Sequence, residues 1–81
     1  MAAEPLPLRL GALLRRIRDD LGLSQERLAD RAGVHPTYVG MVERAERNIT
    51  VARLARLLDA LGVTLPEFFT RLEQEGEQKT P

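Results

Sequence analysis

The chain has 81 residues, enough for one small domain with a limited core. It has no cysteine and one histidine, His35, which excludes a disulfide framework and any thiolate or histidine-cluster metal site. The formal net charge is zero, but residues 1–56 carry ten arginines against seven acids, whereas residues 57–81 carry two basic residues against five acids.

No apolar run is long enough for a transmembrane helix, and the N-terminus lacks a signal-peptide layout. We therefore expect a cytoplasmic protein with no membrane partner and no cofactor. Residues 1–7 contain two prolines and few core candidates, which predicts a flexible arm before a domain that spans residues 8–75.

Residues 8–21 are predicted to form the first helix, which Gly22 ends. Their apolar side chains recur with helical spacing, at Leu10, Leu13, Leu14, Ile17 and Leu21. Arginines fill the other faces of this helix.

Residues 24–44 predict two short helices joined by a tight turn. Ser24 is a good N-cap for a helix that runs to Ala32, because its hydroxyl can accept from a free amide in the first turn. Gly33 suits the turn, since glycine adopts a positive φ at little cost. Pro36 suits the first turn of the next helix, predicted over residues 35–44.

In that third helix, Val39 and Val42 are three residues apart and are expected to point inward, toward the small Ala29. The outward stripe is then made of Pro36, Thr37, Gly40, Met41 and Arg44, with Tyr38 at its border. Such a helix fits the major groove of DNA, where threonine can bond a base and arginine can bond guanine or a phosphate.

Residues 45–49 form a polar loop with Arg47 and Asn48. Thr50 is expected to cap a fourth helix that ends at Gly62. We interpret its apolar stripe as core, made of Val51, Leu54, Leu57, Leu58 and Leu61.

The sequence from Thr64 to Glu67 is a capping box with a proline in the first turn, so it predicts the start of a fifth helix. One of Phe68 and Phe69 is expected to complete the core, and the remaining apolar surface to form an interface. Complete burial within one chain is the alternative. Residues 76–81 are predicted to be a frayed tail.

The run Leu-Gly-Leu-Ser-Gln-Glu-Arg-Leu-Ala-Asp-Arg-Ala-Gly at residues 21–33 resembles the helix-turn-helix of lambda-repressor-like (XRE-type) transcription regulators. The matching residues are Gln25, Ala29, Gly33, Val39 and Val42. The resemblance covers residues 8–69 and implies an all-α, five-helix DNA-binding domain. Residues 37–44 and 47–50 are similar to controller proteins of restriction–modification systems, and also to other short XRE regulators.

The resemblance implies a set of DNA-contacting positions. These are Gln25, His35, Pro36, Thr37, Tyr38, Met41, Arg44, Arg47 and Asn48. Relatives place a base-reading glutamine where this chain has Pro36, so base reading shifts to Thr37, Met41, Arg44 and the following loop. His35 is either an N-cap or a phosphate contact. Gln25 and Arg47 are phosphate contacts or, alternatively, solvated polar residues.

The resemblance also implies contacts within and between proteins. Arg18 is expected to pair with Glu43, the alternative being a solvated arginine. Glu26 and Asp30 align with an acidic patch that touches RNA polymerase, here a sigma factor, although a solvated mixed-charge helix is the alternative. Dimerisation is expected through Leu61, Val63, Leu65, Phe68, Phe69 and Leu72.

An enzyme is not expected, because no nucleophile–base pair or glycine-rich phosphate loop is present. The predicted function is a homodimeric transcription regulator on a palindromic operator, acting as a repressor and in the controller-like case also as an activator. An antitoxin that binds a toxin and its own promoter is the second interpretation. A dimerisation module without DNA reading, or a plain helical hairpin, completes the alternatives.

Overall fold

The computed structural model describes residues 4–78, and side chains as far as Glu75. Within this part of the chain the only regular elements are five helices. They are α1 (Leu6–Asp20), α2 (Gln25–Ala32), α3 (Pro36–Glu43), α4 (Val51–Leu61) and α5 (Leu65–Gln78). The all-α, five-helix prediction is confirmed.

The two ends of the domain differ from the prediction. Helix α1 begins at Leu6, so Leu6 and Pro7 belong to the helix and not to the predicted arm. Proline is tolerated there because the first turn of a helix has no use for its missing N–H. Helix α5 continues to Gln78, so residues 76–78 of the predicted tail are helical. Residues 1–3 and 79–81 lie outside the described part.

Capping residues fix where the helices start. The hydroxyls of Ser24 and Thr50 accept from the amides of Arg27 and Arg53, at 3.0 and 3.2 Å. At the start of α5 the capping box is reciprocal. The Glu67 carboxylate accepts from the Thr64 amide at 2.9 Å, and the Thr64 hydroxyl accepts from the Glu67 amide at 3.2 Å.

Glycines end two helices in the left-handed conformation that the sequence predicted. Gly33 has φ +71° after α2, and Gly62 has φ +75° after α4. Three residues separate α2 from α3, and three separate α4 from α5. Helix α2 packs against both α3 and α4.

One core joins all five helices, with α1 packed across α3 and α5. Its largest fully buried side chains are Phe68, Leu13, Leu14, Leu28, Leu54, Leu57, Leu58, Val39 and Val42. Val51 was predicted to belong to this core, but it is 66% exposed. It is the first residue of α4, where its neighbours Thr50 and Ala52 are exposed as well, so no helix covers this turn.

A glycine sets the distance between α1 and α3. A Cβ built on Gly11 would clash with the Val42 carbonyl oxygen and lie 2.7 Å from that of Glu43. Only glycine therefore permits this approach of α1 to the end of α3. Across the described residues, no helix has both the length and the apolar character needed to span a membrane.

Candidate nucleic-acid interface

Helix α3 lies with its valines inward. Val39 and Val42 are 1% and 2% exposed, whereas Thr37 is exposed and Met41 is half-buried. The guanidinium side chain of Arg44, just after the helix, is 56% exposed. Thr37, Met41 and Arg44 therefore form an outward surface, which we call the reading face.

The start of α3 is fixed by His35. Its Nδ1 accepts from the Thr37 amide at 3.1 Å, so the capping interpretation is confirmed. Pro36 follows at the first helical position, where its missing N–H leaves no orphan donor. Together the two residues hold Thr37 at the exposed first turn of the helix.

A buried charged network supports the other end of α3. Arg18 and Glu43 are 7% and 9% exposed, and two parallel bonds join them, from Nε at 2.6 Å and Nη2 at 2.9 Å. The predicted pair is therefore confirmed, and the solvated alternative is wrong. The hydrogen bonds that Arg18 donates to Glu43 raise the pKa of its guanidinium. Arg18 also donates to the Leu23 carbonyl at 2.7 Å, so one side chain ties α1 to the start of α2 and the end of α3.

Gln25 joins this network from the first position of α2. Its Nε2 donates to Glu43 at 3.0 Å, which places the amide over Gly40. Gly40 was predicted to be part of the outward stripe, but it is buried. A Cβ there would lie 3.3 Å from Gln25 Oε1 and 3.0 Å from Arg44 Nη1. Its missing side chain therefore makes room for these two side chains.

A groove lies on each side of α3. The first, called the α2 groove, is lined by Arg18, Ser24, Gln25, Glu26, Pro36, Thr37, Gly40 and Arg44. The second, called the α4 groove, is lined by Gly33, Val34, His35, Thr37, Tyr38, Met41, Arg47, Arg53 and Arg56. Thr37 lines both, so the start of α3 is a ridge between two concave, arginine-bearing surfaces.

Two arginines that line the α4 groove, Arg53 and Arg56, were not predicted from the sequence as site residues. The Arg53 guanidinium carbon lies 5.0 Å from the centre of the Tyr38 ring, a cation–π contact that orients the ring. Arg56 donates to the Gly33 carbonyl at 3.2 Å. The available signal was their spacing of three on α4, beside the apolar stripe.

The loop after α3 carries the remaining predicted contacts. Arg47 and Asn48 are exposed and line a third groove together with Leu6 and Pro7 of α1. On α2, Glu26 and Asp30 are exposed.

The predicted dimer residues divide into two groups. Leu61, Phe68 and Leu72 are 6%, 0% and 4% exposed, so they belong to the core of the single chain and the interface prediction needs correcting there. All three side chains lie in the common hydrophobic core, where α5 packs against α1 and α4. Phe69 is 38% exposed and meets Phe68 edge-to-face, with 5.6 Å between ring centres. Val63 and Leu65 are half-buried.

Comparisons with known proteins agree with this geometry. A helix-turn-helix family model matches residues 14–68. The control protein C.SmaI of Serratia marcescens is 45% identical over 65 residues, which is 80% of this chain and 77% of that protein. The crystal structure of the restriction–modification controller protein C.AhdI from Aeromonas hydrophila has a TM-score of 0.75 at 40% identity, covering 78% of this chain and 96% of that one.

A nucleoprotein complex of C.Esp1396I is also similar, with a TM-score of 0.83 at 30% identity over 90% of this chain and 95% of that one. The relatives that match are control proteins and transcription regulators, so they lend the antitoxin interpretation no support. They are also not enzymes. The chain therefore belongs to the helix-turn-helix family of XRE-type DNA-binding transcription regulators, as a homologue of the restriction–modification controller proteins.

Proposed function

We propose that the chain binds a palindromic DNA operator as a homodimer and regulates transcription from it, as a controller-type protein. The observation that carries this proposal is the reading face, which stays open to solvent while the valines behind it are buried. An α-helix enters the major groove with its N-terminal side chains on base edges. The likeness to controller proteins, one of them in a nucleoprotein complex, supports the same role.

The residues have distinct proposed roles. Thr37 bonds or packs against bases at the start of α3, and Arg44 bonds a base edge at its end. Gln25, at the positive start of α2, contacts a phosphate, for which its Nε2 retains a second hydrogen. Arg47 and Asn48 contact the backbone of the duplex from the loop, as arginines and amides commonly do.

Selection from a randomised duplex pool tests the proposal. The purified protein should enrich an inverted repeat whose half-sites lie about 34 Å apart, or a multiple of that, as two-fold symmetry requires. Binding to the enriched duplex should weaken steeply with salt, since phosphate contacts release counterions. Enrichment of no sequence, or of a single non-repeated half-site, would contradict the proposal.

We propose a dimer face centred on the exposed Phe69, together with the half-buried Val63 and Leu65. A phenylalanine that remains 38% exposed on the last helix is a typical anchor for a partner chain. Phe69→Glu should convert the dimer to a monomer, which light scattering on a sizing column measures. The control is Leu21→Glu, at an apolar residue that is 53% exposed at the end of α1. If both variants stay dimeric, the interface lies elsewhere.

The proposed polymerase contact uses Glu26 and Asp30. They are four residues apart and exposed on α2, so they share one helical face. Charge reversal at both positions should abolish activation in a reconstituted transcription assay run at protein concentrations that saturate the operator. Activation that persists at the wild-type level would eliminate this contact.

A further inference from the structure

Arg44 is not free in the structure, because Glu46 holds it. The guanidinium Nε donates to one carboxylate oxygen at 3.1 Å and Nη2 donates to the other at 3.2 Å. Both side chains are more than half exposed. An exposed pair of this kind adds little stability, so its position on the proposed DNA-facing surface is the more informative feature.

The turn that delivers Glu46 is unusual. Ala45 has φ +60°, a left-handed conformation that is unfavourable for a residue with a Cβ. In this turn the Ala45 amide donates to the Val42 carbonyl and the Glu46 amide to the Met41 carbonyl, at 3.0 and 2.8 Å. The turn folds Glu46 back beside Arg44, the residue that follows α3.

The ion pair occupies one edge of the Arg44 guanidinium and leaves a second edge without a hydrogen-bond acceptor among the described residues. Glu46 takes the edge formed by Nε and Nη2, so the hydrogens on Nη1 and the second one on Nη2 stay available. Nη1 lies over Gly40, at 3.0 Å from where a Cβ would be. Arg44 and Gly40 line the α2 groove together with Thr37.

We propose that Glu46 is a positioning residue that makes Arg44 selective for a base edge over a phosphate. This inference rests on the proposed function. A guanine edge presents two neutral acceptors, O6 and N7, which match the open pair of donors and do not repel a neighbouring carboxylate. A phosphate carries a full negative charge, so approach to Arg44 brings it against Glu46. The carboxylate thus orients the arginine and weakens sequence-independent binding.

The test measures binding to the duplex enriched by the wild-type protein and to a scrambled duplex of equal length, over the same series of salt concentrations. Glu46→Gln should tighten binding to the scrambled duplex severalfold, with a smaller gain on the enriched duplex. The ratio of the two affinities should fall at least about fivefold. On the scrambled duplex the salt dependence should steepen by about 0.9 for each phosphate gained.

Two controls separate positioning from net charge. Glu73→Gln removes the same charge from an exposed site on α5 and should leave the affinity ratio unchanged. Replacing single guanines by 7-deazaguanine, which lacks the N7 acceptor, should weaken wild-type binding at one guanine in each half-site. Arg44→Ala should be insensitive to that replacement, and Glu46→Ala should be less sensitive than the wild type.

The outcomes are distinguishable. If Glu46→Gln shifts both affinities by one factor, as Glu73→Gln does, the inference is overturned while the proposed function stands. If no 7-deazaguanine position distinguishes the wild type from Arg44→Ala, Arg44 reads no guanine and the inference is again overturned. A wild-type protein that enriches no sequence refutes the proposed function, and the inference fails with it.

Discussion

Removing the Glu43 carboxylate should destabilise the domain strongly. Glu43→Ala leaves Arg18 as a charge that is 7% exposed, with its two carboxylate bonds at 2.6 and 2.9 Å gone. Breaking a buried pair by removing one partner costs about 3–5 kcal/mol. The free energy of unfolding of a chain of this length is about 4–12 kcal/mol, so the substitution removes a large share of the stability. The midpoint of thermal unfolding should fall by about 12 °C or more.

The measurement is urea and thermal unfolding followed by circular dichroism, at one protein concentration because the proposed dimer would add to the apparent stability. Glu75→Ala is the control. It breaks the exposed pair with Arg16, whose side chains are 23% and 56% exposed, and should cost less than about 1 kcal/mol. Arg18→Met combined with Glu43→Met should recover stability relative to Glu43→Ala. Equal losses for Glu43→Ala and Glu75→Ala would refute this account of the network.

Two further predictions concern the packing of α1 and the capping of α5. Gly11→Ala should lower the unfolding midpoint although alanine favours helix, because its Cβ meets the Val42 and Glu43 carbonyls; a gain would show that α1 moves freely. The bonds from Thr64 lower the pKa of Glu67 below its ordinary value of 4.5. The ionised Glu67 carboxylate therefore stabilises the folded state above pH 4.5, and this stabilisation is lost as the pH falls through the lowered pKa. Thermal unfolding between pH 7 and 3 should show a smaller acid loss for Glu67→Gln than for the wild type, and identical profiles would count against the capping box.

Local signals in the sequence were sufficient for the starts of α2, α4 and α5 and for the ends of α2 and α4. Ser24, Thr50 and the Thr64–Glu67 box act within one helical turn, so no distant residue alters their effect. Gly33 and Gly62 end helices for an equally local reason, the low cost of a positive φ. The inward orientation of α3 followed from the spacing of its valines.

Features that depend on two segments distant in the sequence were harder to predict. The start of α1 at Leu6 and the exposure of Val51 depend on which helix covers a terminal turn, which periodicity does not report. Which of Phe68 and Phe69 is buried could likewise not be predicted without the position of α1. Resemblance, not spacing, indicated the Arg18–Glu43 pair, since the two residues are 25 positions apart.

At the candidate site the sequence identified the outward stripe but not its internal contacts. Gly40 was assigned an outward role, whereas the side chains of Gln25 and Arg44 cover it. The hold of Glu46 on Arg44 depends on the left-handed Ala45, and nothing in its residue type predicts that conformation.

The central claim is that the reading face binds bases, and a matched pair of double variants tests it most directly. Thr37→Ala with Arg44→Ala removes two side chains of that face. Thr70→Ala with Arg15→Ala makes the same chemical changes at exposed sites on α5 and α1. Fluorescence anisotropy on the enriched duplex should show a loss of at least about tenfold for the first variant, since each good base contact contributes about 1–3 kcal/mol. The second should bind within about twofold of the wild type, and equal affinities for the two variants would contradict the account.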